Sequence, residues 1–378
     1  VTRNGGIARQ DGGRGLQIVL LLALVAAVTV RAERRSTAGG PLDADNGPAR
    51  PDQAPPSSPE PPPGPPDPVD DAPAVSVVAF GARGDGVADD TAAFQRAAAT
   101  GQPLVVPRPP AFYRVTARID LASSVRGEGM PEIRMDGSDG SDAKTLLRVA
   151  GYLGSGIVIS GLHLNGGWDG AASAQEHAHG IAIVGSRNVF VQDDVIEATY
   201  GDSVYVGALA HANSAAVVVR RNTLVGPRRC NVALVAVRGA LVLRNVIRKS
   251  NAYVAAVDVE PNPDDLTVVE DVEIAGNDAD APATSFVNLF SFPPRKGYTR
   301  TVRNVTVARN TIRARAGVEK APDTASFDGI LVQGNEFFPA DRTSVFVQIR
   351  HASGNGAATT NVVVEGNADH ATAASAVP

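Results

Sequence analysis

The chain has 378 residues, with 35 Lys plus Arg against 40 Asp plus Glu and a formal net charge of -5. This mildly acidic balance, with no long basic run, excludes nucleic acid as the main partner, and the single cysteine, Cys230, excludes an intramolecular disulfide and a Cys-built zinc site. Apolar residues at 43% allow a sizeable core, while 5% aromatics, 38 Gly and 27 Pro suit many short strands joined by turns rather than a helical bundle.

In chain order, Arg3, Arg9 and Arg14 precede the uncharged stretch Leu16–Val30. Over 1–32 this reads as the basic start and apolar middle of an export signal peptide, with a cut after Ala32. The stretch is short for a bilayer span, which takes about 20 residues. Arg31, Arg34 and Arg35 behind it leave an uncleaved transmembrane anchor as the second reading. Either way the remainder is expected to be secreted or to work outside the cytoplasm, touching a membrane only through this segment. Residues 33–73 include the run PEPPPGPPDP and cannot bury apolar surface, so they read as an extended linker.

The folded part is expected over 74–370, with 371–378 as a tail. VVAFGARGDGVADDTAAFQRAAA at 77–99 reads as a strand, a Gly-rich turn and a short helix capped by Asp89 or Asp90. Gly81, Gly84 and Gly86 lack the strict spacing of a dinucleotide-binding loop.

One pattern then returns: two alternating apolar residues, an Asn three positions on, and a further apolar residue two beyond it. It reads Val217-Val219-Asn222-Leu224, Ala240-Val242-Asn245-Ile247, Val272-Ile274-Asn277-Ala279, Val305-Val307-Asn310-Ile312, Ile330-Val332-Asn335-Phe337 and Val362-Val364-Asn367. Asp194 and Leu162 fill the Asn slot in two earlier copies. Slots recur every 23 to 33 residues, too short for four-stranded propeller blades. Alternation turns every second side chain inward, and Asn suits a tight bend because it tolerates the left-handed conformation. The expected fold is all-β: a single-stranded right-handed parallel β-helix of about eight to ten coils, its Asn residues stacked in a ladder and its N-terminal end capped by the short helix.

VVAFGARGDGVADDTAAFQRA resembles the N-terminal signature of the pectate-lyase-like β-helix superfamily, which includes polygalacturonases, rhamnogalacturonases, uronan epimerases and phage tailspikes. GDSVYVG, RRCNVALV and AAVDVEPNP, within 201–263, resemble segments of bacterial right-handed β-helix repeat proteins, with Ser203, Asn231 and Ala256 where that pattern has Gly and Cys230 where it has Gln. The resemblance implies a glycan-active β-helix without naming the reaction.

Aligning those strands puts Gly180, Ser203, Asn231 and Ala256 on successive coils, about 4.8 Å apart. His179, Asp202, Tyr205, Arg228, Arg229, Asp258 and Glu260 then gather on one wall, expected to be exposed. Asp202, Asp258 and Glu260 are the candidate catalytic carboxylates, because one carboxyl can protonate a glycosidic oxygen while another activates water. His179, Tyr205, Arg228 and Arg229 are the candidate substrate-binding residues: an Arg can hold an acidic sugar's carboxylate and Tyr205 can lie under a sugar ring. The leading expectation is a glycoside hydrolase acting on a polysaccharide, with no required cofactor. A lyase or epimerase acting on uronic acids is the alternative, and there calcium would join the site through the carboxylates. A non-catalytic glycan-binding or structural rod is the third reading. His177 and His179 lack a third metal ligand by spacing, Trp168 reads as a loop residue, and Cys230 reads as a small filler in the stack.

Overall fold

A side-chain alternation of two can bury one face of a strand, and three such faces wound around an axis close a core without a second layer. The computed structural model describes residues 73–172, 175–261, 266–290, 301–320, 326–349 and 359–370. The expected signal or anchor at 1–32, the linker up to Ala72 and the tail 371–378 lie outside the described residues. Among the described residues no helix is long and apolar enough to cross a membrane.

Each turn of the solenoid contributes three strands, and the strand pairings between turns are parallel. The first face is an 11-stranded sheet that includes Arg187–Gln192, Ser214–Arg220, Val237–Leu243 and Val269–Ala275. The second face carries three-residue strands such as Val195–Glu197, Thr223–Val225 and Val246–Arg248. The third carries Ile181–Val184, Val204–Gly207, Val232–Leu234 and Val257–Val259. These two faces form one 17-stranded sheet, because Asp278–Leu289 and Thr311–Lys320 each run through both. The register follows the repeat: Val189 pairs with Val217, Val217 with Ala240, and Ala240 with Val272. Val204, Val206, Val232, Leu234, Val257 and Val259 are inward and fully buried, as the alternation requires.

The ladder forms down the bend after the first face. Asn222 receives the Asp194 N–H at 3.0 Å and passes its own N–H to Asn245, Asn245 to Asn277, Asn277 to Asn310, and Asn310 to Asn335. Each Asn Nδ2 also donates to a strand carbonyl of the preceding coil, such as Asn245 to Val219 at 3.0 Å. The left-handed conformation, however, does not fall on the Asn. It falls on the residue before it: Asp193, Arg221, Arg244, Gly276, Arg309, Gly334 and Gly366. The Asn is free of the bend's torsional strain and serves only to join coils. The last described strand of the first face, Thr359–Glu365, leaves Val362 and Val364 36% and 47% exposed, since no further coil covers them among the described residues.

At the opposite end the helix Thr91–Ala98 lays Ala93, Phe94, Ala97 and Ala98 on the first coils, with Phe94 edge-on to Tyr113 at 5.2 Å. Asp89 accepts the Thr91 N–H at 3.0 Å, whereas Asp90 turns its carboxylate to the N–H groups of Arg83 and Gly84. The Gly-rich loop is therefore wound around an internal carboxylate. Gly84 has φ +62°, and a Cβ there would stand 2.4 Å from the Pro109 Cβ.

Candidate active site

The third face places the expected residues as the alignment requires. Ile181 pairs with Val204, Val204 with Val232 and Val232 with Val257, which sets Gly180, Ser203, Asn231 and Ala256 one above another. The outward residues Ala182, Tyr205, Ala233, Asp258 and Asn288 form one column. Gly207, Val235 and Glu260 follow the aligned residues Val206, Leu234 and Val259 and form the next.

The expectation of an exposed wall is corrected. Asp202 and Asp258 are each 1% exposed and His179 is 4% exposed, while Tyr205, Arg228, Arg229 and Glu260 are half-buried. The cover comes from two loops that the repeat does not encode. Glu176, on the loop before the third-face strand at Ile181, forms an ion pair with Arg229 and accepts the Tyr253 hydroxyl at 2.6 Å. Arg228 lies over the Tyr253 ring at 5.0 Å and donates to the Gln175 carbonyl at 3.0 Å. Lys249, 1% exposed, donates to the Arg229 carbonyl and to Asn251 Oδ1. Burial pulls this ammonium down to about 8.

Beneath that cover, Asp202 Oδ1 accepts the Cys230 N–H at 2.9 Å, and Arg229 Nε stands 3.4 Å from the same oxygen. Asp202 Oδ2 lies 3.3 Å from His179 Nδ1, which also accepts the Asp202 N–H at 3.0 Å. Burial pushes the Asp202 carboxyl up, but His179, Arg229 and the Cys230 N–H outweigh it, so the group stays ionised below the usual range. His179 in turn stacks on Tyr205 at 4.6 Å. The Tyr205 ring lies across Gly207, where a Cβ would meet its Cε1 at 2.5 Å and its Oη at 2.6 Å. Tyr205 is thus held from beneath rather than lying open for a sugar. Cys230 is fully buried, and burial raises its thiol well above the usual range, which keeps it a filler.

The carboxyls of Asp258 and Glu260 are close enough to shift each other's titration. Their side chains therefore titrate as one pair. Asn288 Nδ2 donates to Asp258 Oδ1 at 2.8 Å, which leaves the pair's proton on the Glu260 side. Burial, and next the charge of Asp258, push Glu260 up to about 9. Asp258 is raised too, first by burial. A half-exposed carboxylic acid that keeps its proton at neutral pH is equipped to donate it.

Sequence reasoning missed Glu176, Lys249, Tyr253 and Asn288. Only Asn288 left a signal, as the polar residue one coil beyond Asp258 in the same column. His177 is exposed, and no cluster of three metal-ligating side chains occurs among the described residues. Trp168 donates its indole N–H to the Ala171 carbonyl at 2.9 Å within its own loop.

Residues 74–158 match the family model described as rhamnogalacturonase A/epimerase, pectate lyase-like. No curated protein matches the chain in sequence. Among solved structures, the tailspike protein gp49 of the Acinetobacter baumannii bacteriophage Fri1, a capsular polysaccharide depolymerase, is similar with a TM-score of 0.53 at 12% identity, covering 78% of this chain and 59% of that one. An N-terminal fragment of bacteriophage phi29 gene product 12 gives a TM-score of 0.52 at 18% identity, covering 77% of this chain and 57% of that one. The pre-mature form of the same gene product gives 0.51 at 16% identity, over 78% and 45%. The chain spans about half the length of these structures, and identity this low shows the fold alone. The N-terminal match covers residues 74–158, and the described residues as a whole have a parallel β-helix fold similar to that of the pectate-lyase-like proteins.

Proposed function

We propose that the protein cleaves glycosidic bonds of a polysaccharide by hydrolysis, with Glu260 as the general acid. The observation that carries this reading is the Asp258–Glu260 pair, half-open to solvent on the third face and protonated at neutral pH. Glu260 gives its proton to the leaving oxygen as the glycosidic bond breaks. The pair, now doubly charged and strongly basic, takes a proton back from the water that adds to the sugar's anomeric carbon. Asp202 is a positioning residue in this scheme: it holds His179 under Tyr205 and anchors Arg229. The similarity to a capsular polysaccharide depolymerase and to the rhamnogalacturonase A/epimerase family supports a glycan as substrate. Residues 1–32 support export, which would bring the β-helix to extracytoplasmic polysaccharide.

The test is depolymerisation of a polysaccharide panel by the full chain, following reducing ends together with the ultraviolet absorbance of unsaturated uronide. Reducing ends without absorbance, reduced at least about 100-fold by Glu260→Gln, are expected for hydrolysis through this acid. Absorbance rising in step with reducing ends would move the assignment to β-elimination. Full activity in the Glu260→Gln variant would remove Glu260 from the mechanism.

A further inference from the structure

We infer that a groove at the N-terminal end of the third face is a second glycan-binding site, which takes neutral, hydroxyl-rich sugar rings and anchors the polymer away from Glu260. The inference rests on the proposed function for the polysaccharide it holds, not for the bond that is cut. A cavity of about 570 Å³ lies there, between the end of the helix Thr91–Ala98 and the first coils. That volume falls within the roughly 300–1,000 Å³ of pockets that hold small ligands. Its apolar residues Ala99, Ala122 and Ala150 are exposed, so the C–H face of a sugar ring can lie on them. Arg118, Asp120 and Arg148 supply the polar wall. With Asp142 they close a ring of alternating charge. Arg118 pairs with Asp120 at 3.2 Å and with Asp142, while Arg148 pairs with Asp120 at 2.6 Å and with Asp142 at 3.8 Å.

Each side chain of this ring is held by two partners before any ligand arrives, which lowers the ordering cost of binding. Both kinds of hydrogen-bonding group stay open on adjacent coils. Asp120 accepts the Arg148 Nε–H at Oδ1, and among the described residues its Oδ2 accepts no hydrogen bond and the Arg148 Nη groups donate none. A sugar hydroxyl is donor and acceptor at once, so a vicinal pair matches an open carboxylate oxygen beside an open guanidinium edge. An anion would meet Asp120 and Asp142, and a cation would meet Arg118 and Arg148, so a lone charge of either sign gains little. The groove also lines up with the acid pair. Asp120 pairs in register with Arg148, Arg148 with Ala182, Ala182 with Tyr205, Tyr205 with Ala233 and Ala233 with Asp258. Arg148 is thus four coils from Asp258, about 19 Å or roughly four sugar units. Ala182 and Ala233 between them are buried, which makes the groove a separate anchor rather than an extension of the site.

The test measures binding of the full chain to dextran, galactan, mannan and dextran sulfate by affinity electrophoresis, and cleavage by reducing ends. Ala122→Trp fills the groove without touching the charged ring, and Arg148→Ala opens the ring. Each change should weaken binding of a neutral polymer at least about tenfold. For a polymer that is cleaved, each should raise KM, and the rise should be confined to chains of more than about four units, long enough to span both points. Neutral polymers held by the groove but cut by nothing would sink the hydrolase proposal and leave the anchor standing. Cleavage with KM unchanged in both variants would overturn the anchor and leave the hydrolase. Binding of dextran sulfate alone, or of no polymer in the set, would overturn the inference.

Discussion

Asp194 occupies the Asn slot one coil before Asn222, and its environment makes a quantitative test of the ladder. It is 1% exposed, its Oδ1 accepts the Leu162 N–H at 2.8 Å, and its Oδ2 is buried without a hydrogen-bond partner. The Asn222 amide in the same slot donates to the Val191 carbonyl at 3.0 Å and to Asn245 Oδ1 at 3.1 Å. Val191 pairs with Ile159 one coil back, so in Asp194→Asn the new amide would reach the Ile159 carbonyl and Asn222 Oδ1. Two neutral hydrogen bonds and the removal of one orphaned buried oxygen should stabilise the fold by about 2–3 kcal/mol at neutral pH. That corresponds to roughly 4–10 °C in Tm for a domain of this size.

Burial pushes the Asp194 carboxyl well above the usual range. The folded state then holds a proton that the unfolded chain releases near pH 4, so the wild type loses stability as pH rises from about 4 toward the folded-state value. Asp194→Asn lacks that slope. Denaturant melts at pH 4 and pH 8 should show a small gap between the proteins at the lower pH, where a protonated carboxyl donates as an amide does, and the full gap at the higher. A variant no more stable than wild type at pH 8, or a gap that does not change with pH, would refute the reasoning. The reverse change, Asn277→Asp, sets a carboxyl against Asn310 Oδ1 and the Val242 carbonyl and should cost about 2–4 kcal/mol at pH 8.

Three further outcomes concern the site. Hydrolysis should fall as pH rises through about 9, where Glu260 loses the proton it donates, and a pH–rate profile measures this limb. Asp258→Asn removes the like charge that helps hold Glu260 up, so the same limb should move to lower pH with the chain still folded. Gly207→Ala drives a Cβ into the Tyr205 ring and should lower kcat/KM by about 10- to 100-fold while Tyr205 leaves its stack on His179, visible as a change in near-ultraviolet circular dichroism.

The ladder, the three faces and the stacking of Gly180, Ser203, Asn231 and Ala256 were legible because a solenoid repeats its environment once per coil. A residue type that recurs at the same phase must meet its own copy, so spacing alone predicts the Asn222–Asn245–Asn277 contacts. The bend was read less well: the left-handed torsion belongs to Arg221 and Arg244 rather than to the Asn beside each. Asn was chosen there for its two-sided amide.

The chemistry of the site depended on segments outside the repeat. Glu176 and Tyr253 are 77 residues apart and meet only because their loops leave the same side of the solenoid. Their contact, with Arg228, Arg229 and Lys249, buries Asp202 and Asp258 and turns a wall of carboxylates into a covered cluster with one half-open acid. No periodicity carries that information. The residue pattern by itself determined a parallel β-helix and which side chains share its third face, since alternation and coil spacing are local rules. Which carboxyl keeps a proton was decided by tertiary packing, because desolvation and charge pairing depend on whatever the loops bring over the face.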